Sequence, residues 1–268
     1  MIKKYRFLIA RRFTQLSIIA LYILANIYGI NYLMGNLSSS LVLETIPLSD
    51  PFAVLQMIFA GAVISFDIAL GALIISIFYF TLGGRAFCSW VCPVNIITDS
   101  ANFLRRVLKF DEVQKKQPAT RNLRYWLILI SFIISYFMGV AAFELISPVS
   151  MVHRGLIFGL GFGFATIIVI FLFDLFVLKN GWCGHICPLG GFYSLIGRFS
   201  LIRVHHNHNR CTNCMKCKVV CPEIQVLHMI NKSSEAVVDE CTNCGRCVEV
   251  CEDDALNFDL RKYIKEKK

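Results

Sequence analysis

Twelve cysteines carry the chemistry of this 268-residue chain, and every one of them falls in a short motif. Eight form two runs near the C-terminus: Cys211-x2-Cys214-x2-Cys217-x3-Cys221-Pro222, then Cys241-x2-Cys244-x2-Cys247-x3-Cys251. Three thiolates at two-residue gaps let the backbone wind around one corner of a 4Fe–4S cubane. The fourth, three residues on and followed by a turn, points to the other cubane. Cys211, Cys214, Cys217 and Cys251 are thereby assigned to one cluster. Cys221, Cys241, Cys244 and Cys247 are assigned to a second. Glu252 stands where the first run has a proline, which alters the turn and not the ligands. Zinc sites commonly pair two C-x2-C knuckles far apart, and two complete four-cysteine runs fit that poorly.

The other four cysteines lie in two C-x3-C-P motifs, Cys88/Cys92 and Cys183/Cys187, each just after a long apolar stretch. They belong to an internal repeat. Residues around Ser49-Asp50-Pro51 resemble those around Ser147-Pro148; the prolines are 97 positions apart and the first cysteines of the motifs 95. Such a repeat predicts two units related by an axis along a membrane normal, with all four thiols at one site. Three roles stay open for that site: a further cluster or metal, a cycling dithiol, or docking of a partner. His185 lies inside the second motif where Trp90 stands in the first, and is a lesser candidate for a ligand.

These motifs need elements to hold them. Hydrophobic residues make up 56% of the chain and charged residues 17%, against a usual charged share of about 25%, which excludes a disordered chain. Four stretches, 13–34, about 57–82, 123–143 and 156–178, reach the roughly 20 apolar residues that a bilayer crossing needs. The first has no small-residue cleavage site and reads as a retained anchor. Lys and Arg number five in residues 1–12, eight in 83–124, none in 34–56 and one in 144–155. The positive-inside rule then puts both termini in the cytoplasm, where a reducing medium disfavours disulfides. The basic residues flank helices and form no separate patch, so the formal charge of +9 is no argument for nucleic acid.

The expected fold is an α-helical membrane protein of the bacterial inner membrane. Four transmembrane helices form two parallel hairpin repeats, with a C-terminal α+β two-cluster bacterial-type ferredoxin domain. Its parts are a basic segment (1–12), a first membrane repeat (13–93), a basic cytoplasmic loop (94–122), a second repeat (123–197) and the ferredoxin domain (198–268).

Order and motifs together resemble the NapH family, the membrane subunit of the NapGH quinol dehydrogenase. The resemblance rests on Cys88, Cys92, Cys183, Cys187 and the eight tail cysteines. It implies oxidation of menaquinol or ubiquinol and delivery of electrons toward a periplasmic nitrate reductase, with a NapG-like ferredoxin-type partner. Two other classes share the motifs. Membrane ferredoxins that serve metal-centre maturation tend to carry a further domain after the clusters, whereas this chain ends 17 residues past Cys251. Nitrous-oxide regulators carry a large flavin domain ahead of the spans, and 12 residues precede the first span here.

A quinol site needs an acceptor for each hydroxyl and a route for two protons. Ionisable residues within apolar spans are suspects by default. Asp67 is expected near the middle of the second span and leads the candidates. Asp174 is expected near the inner end of the fourth. Glu44, Asp50, Glu144 and His153 cluster in the outer loops, and Gln56 and His153 hold matched repeat positions.

Overall fold

The computed structural model describes residues 5–29, 32–109, 122–159 and 161–261. Lys3, Lys4, Lys115, Lys116 and Arg121, which enter the charge count, lie outside the described residues.

Helix α1 (Arg6–Tyr28) ends where Gly29 adopts φ +70 and its N–H caps the last turn. The left-handed conformation is cheap only without a Cβ, so the helix stops there. The end of the first apolar run instead enters a small antiparallel sheet of β1 (Leu33–Gly35), β2 (Ser39–Val42) and β3 (Ile46–Ser49).

The second apolar run is also divided. Asp50 accepts hydrogen bonds from the Phe52 and Ala53 amides, Pro51 fills the first helical position, and α2 (Pro51–Phe59) follows. Gly61, at φ +78, ends it. A second helix, α3 (Phe66–Leu82), starts afresh. Helix α4 (Ala86–Trp90) carries Cys88, and α5 (Val94–Val107) begins just beyond Pro93.

The second half repeats this course. It contains α6 (Leu123–Met138), α7 (Ala142–Ile146), α8 (Pro148–Phe158) and α9 (Gly161–Leu172). Helix α9 widens into a π-helical turn, Phe173–Val177, and a second π-helical turn, Trp182–Ile186, carries Cys183. Helix α10 (Pro188–Gly197) follows Cys187. The fourth apolar run is cut by Gly159, at φ +107. Helices α8 and α9 then pack so closely that a Cβ on Gly163 would lie 2.8 Å from the Met151 carbonyl oxygen.

Four long apolar stretches thus become one long helix and several shorter ones. Among the described residues one helix, Arg6–Tyr28, is long and apolar enough to cross a membrane. Phe66–Leu82, Asn122–Met138 and Gly163–Val177 are shorter apolar helices. Hydropathy averaged over a span does not register a short break, such as the one from Ala60 to Ser65 or the one at Gly159, so each run reads as one helix.

The halves exchange partners. Helix α1 packs on α4 and on α8, while α6 packs on the Trp182–Ile186 turn and on α2. Helix α3 packs on α10, and α9 on α5. Each of these contacts has its counterpart in the other half.

The C-terminal unit pairs β4 (Ile202–His206) antiparallel with β5 (Leu256–Leu260). Two short helices, α11 (Lys216–Val220) and α12 (Arg246–Glu249), follow the cysteine loops. Val204, Leu227, Met229 and Leu256 form its buried core together with the inward cysteines.

Candidate functional site: two cysteine systems and a buried carboxyl

The two tail runs fold alike. Asn213 and Met215 have φ +58 and +57; Asn243 and Gly245, at the same places in the second run, have +48 and +73. Two left-handed residues two apart curl each C-x2-C loop before its helix begins. Asn tolerates that region better than most side chains. At Gly245 a Cβ would also strike the Phe7 ring at 2.5 Å.

Cys211, Cys214, Cys217 and Cys251 line one small cavity. Cys221, Cys241, Cys244 and Cys247 line another. Each cavity draws three cysteines from one run and the last cysteine of the other. Four thiols per cavity is the donor set a 4Fe–4S cubane requires. Amides already point at sulfur, Asn243 N–H to Cys241 Sγ at 3.4 Å and Ala255 N–H to Cys251 Sγ at 3.3 Å. Burial pushes the Cys217 and Cys241 thiols up to about 11. Iron binding must therefore displace protons, as any thiolate site requires.

The remaining four cysteines also gather. Cys92 feels the charges of Cys88 and Cys187, and Cys183 those of Cys187, Cys92 and Cys88. Cys92 and Cys187 belong to the apolar core of the helical part, and Cys88 and Cys183 pack against it. Burial raises the Cys187 thiol to about 12 and raises Cys88 as well, the latter opposed by Arg85. Cys187 Sγ accepts from the Gly190 amide at the start of α10. The neighbours obey the repeat: Thr98 Oγ1 lies 4.0 Å from Cys183 Sγ, and Tyr193, six residues past the second cysteine as Thr98 is, feels the charge of Cys88.

The tail unit sits on this quartet. Arg85, fully buried, donates to the Glu223 carboxylate at 3.0 Å, to the Cys183 carbonyl at 2.9 Å and to the Glu240 carbonyl at 2.7 Å. Asn180 donates to the same Glu223 oxygen at 2.9 Å. Arg85 and Asn180 each stand three residues before the first cysteine of their motif. One carboxylate, two residues past Cys221, therefore bridges both halves. Arg124 pairs with Glu240, the residue before Cys241. Ser89 and the Trp90 indole donate to the Thr242 and Asn243 carbonyls. The cavity bounded by Cys221 and Cys241 is also lined by Glu223 and Thr242, the residues bonded to Arg85 and Ser89. The lining of the Cys211 cavity includes neither.

The ionisable candidates fall differently from expectation. Asp67 does not lie at mid-span: it is exposed in the first turn of α3, because the break before Phe66 makes this a helix start. A carboxylate there complements the helix dipole and needs no functional reason. Glu44 is exposed in the turn between β2 and β3 at φ +60. Glu144 is half-buried and accepts from Ser38 and Ser150 at 2.7 and 2.8 Å. His153, 2% exposed, meets the Tyr22 ring edge-on at 4.7 Å, and Gln56 accepts from the Phe143 amide at 2.9 Å. Asp174 is fully buried in the π-helical turn and accepts from the Trp182 amide at 3.0 Å. His185 is buried in the same region, 2% exposed.

Sequence reasoning placed Asp50 in an outer loop. It is instead buried, with Tyr193 donating to its Oδ1 at 3.0 Å. Beside the pair opens a cavity of about 700 Å³ between α1 and α3. The legible signal was Asp-Pro ahead of an apolar run, a helix start within a stretch read as a loop.

The comparisons agree with this geometry. The family described as "4Fe-4S binding domain" matches twice, over residues 54–111 and 157–205, and "4Fe-4S dicluster domain" matches residues 203–252. The ferredoxin-type protein NapH of Haemophilus influenzae is 43% identical over 223 residues, 83% of this chain and 77% of that one. NapH of Escherichia coli is 41% identical over 226 residues, 84% and 78% of the two chains. The methylamine utilization ferredoxin-type protein MauN of Methylorubrum extorquens is 42% identical over 218 residues, 81% and 75%. No solved structure matches the chain. The fold and the cysteines define an iron–sulfur electron-transfer protein. The chain belongs to the family of ferredoxin-type proteins that includes NapH and MauN.

Proposed function

We propose that this chain is the membrane electron-transfer subunit of a quinol dehydrogenase, oxidising quinol and passing electrons toward a periplasmic nitrate reductase through a NapG-like partner. The observation that carries it is the seating of the tail unit on the cysteine quartet through Glu223, Arg85 and Asn180. A carrier that only anchored a soluble ferredoxin would have no use for that buried junction.

In this reading α1, α3, α6 and α9 cross the inner membrane, both termini are cytoplasmic, and α2 and α8 are half-helices dipping in from the outer side. Broken helices of this kind are tolerated within a membrane where protein surrounds them. Apolar side chains left outside the core support it: Phe66, Leu73, Ile77, Phe137 and Val169 are each more than half exposed. Bound 4Fe–4S clusters would supply reversible one-electron transfer. Cys211, Cys214, Cys217 and Cys251 would hold the outer cluster, and Cys221, Cys241, Cys244 and Cys247 the inner. Cys88, Cys92, Cys183 and Cys187 form a shared redox or metal site between them and the membrane, in keeping with the description of the family matched there.

NapH-named and MauN-named relatives match about equally. That favours a common electron-transfer module whose terminal acceptor is set by partners, so delivery to a reductase other than the nitrate enzyme is the second reading.

The test is quinol-dependent reduction of the clusters in membranes holding the full chain, followed by EPR. Signals that appear with quinol as with dithionite support the proposal. Signals that appear with dithionite alone overturn it.

A further inference from the structure

We infer that the cavity between α1 and α3 is the quinol-binding site, with Asp50 the proton acceptor and Tyr193 the residue that holds it. The inference rests on the quinol reading above and names the site for it. The cavity, at about 700 Å³, falls within the range of small-molecule sites, about 300–1,000 Å³. Its walls are apolar: Ile18 from α1, Leu33 and Leu37 from the sheet region, and Ile74, Ile75 and Phe78 from α3. Such walls suit a hydrocarbon tail entering from lipid.

The polar residues of the lining are Thr14, Tyr22, Ser40, Ser49, Asp50, Tyr193 and Asn243. Asp50 is the one carboxylate in the lining. Its oxygens accept from the Phe52 and Ala53 amides at 3.4 and 3.3 Å and from Tyr193 at 3.0 Å. A carboxylate offers about four acceptor sites, so one remains for a ligand hydroxyl. Ser40, opposite Leu48 in the sheet, and Tyr22 also line the cavity, offering a partner for a second hydroxyl. An apolar slot with two separated polar contacts fits a quinol better than a phospholipid chain, which has nothing to offer them.

The reaction balances in this site. Quinol gives up two protons and two electrons, its O–H bonds break, and quinone leaves. Asp50 takes the first proton. Glu144, close enough for its charge to be felt at Asp50 and held by Ser38 and Ser150, is the next carboxylate along and clears Asp50 for the second. The two electrons would pass to the 4Fe–4S clusters that the cysteines of the same chain would hold. Ala86, Phe87, Trp90 and Val91, which flank Cys88 and Cys92, form the cavity's inner wall. Electron exit and proton acceptance therefore meet at one site.

The test uses the full chain in lipid nanodiscs and a photoreactive short-tail naphthoquinone. Labelling should fall on the stretches 14–22 and 74–91, and excess quinol should suppress it. Asp50→Asn keeps the cap acceptor and removes the base. It should slow quinol-driven cluster reduction on the order of a hundredfold, with labelling intact and dithionite reduction complete. Tyr193→Phe, which keeps the ring stacking on Phe87, should slow it less. Labelling elsewhere, or a wild-type rate in Asp50→Asn, would overturn the site while leaving quinol oxidation standing. Labelling that phospholipid displaces and quinol does not would make the cavity a lipid groove. A wild-type chain neither labelled nor reduced by quinol would remove both readings.

Discussion

The two halves of the helical part agree where they meet the tail and differ where they meet the cavity. Before each C-x3-C-P motif stands a residue that donates to Glu223, Arg85 in one half and Asn180 in the other. Helices α1 and α6 each bring in a fully buried arginine, Arg11 and Arg124. The caps, however, have diverged. Asp50 precedes Pro51 and accepts hydrogen bonds from amides; Ser147 precedes Pro148 and makes no side-chain cap bond. Tyr193 donates to Asp50 from across the repeat, while its counterpart Thr98 donates to the Asn95 carbonyl at 3.2 Å. The halves thus share a mount for thiols, and one of them alone carries a buried carboxyl at its cap.

The largest expected effect comes from breaking the symmetric mount. Arg85→Ala leaves the Glu223 carboxylate buried without its cation, which should cost about 3–5 kcal/mol. It should lower the thermal stability of the solubilised chain and loosen the tail. Arg85→Met combined with Glu223→Gln should recover most of that loss. A double variant as unstable as the single one would deny that the pair is the joint.

Next in size is selective loss of a cluster. Cys251→Ser should damage the centre built on Cys211, Cys214 and Cys217, and Cys221→Ser the other, read by EPR of each variant. The opposite selectivity would rule out the crossing of each run's fourth cysteine to the other cluster.

The divergent caps give a smaller contrast. Asp50→Ala should cost about 1 kcal/mol of stability through the lost cap. Ser147→Ala, with no cap bond to lose, should stay within about 0.5 kcal/mol. Equal losses in thermal unfolding would mean that the two half-helices start in the same way. Asp67→Asn should do least. An exposed first-turn carboxylate is worth about 0.3–1 kcal/mol to its helix, and quinol-driven reduction should stay at the wild-type rate.

The sequence carried some of this plainly. Cysteine spacing is a local record of how a loop curls, so the tail runs and the paired motifs could be read directly, and so could the repeat that joins them. What stayed hidden has a physical cause. Asp67 looked deeply placed because an apolar stretch was taken as one helix, and a single glycine at φ +78 divides it. Asp50 looked peripheral because it sits between an outer sheet and an apolar run; only the packing of α10 beneath it, bringing Tyr193 to 3.0 Å, makes it internal. The Glu223 junction depends on residues 138 positions apart, beyond the reach of any local pattern.

The central claim is that the two halves hold one thiol site through which electrons reach the tail. A double-mutant cycle on Cys88→Ser and Cys187→Ser, read as the rate of quinol-driven cluster reduction, tests it most directly. Residues that act as a unit fail to add, so each single variant should lose about as much as the double. Losses that multiply in the double variant, or a wild-type rate in either single one, would contradict a shared site.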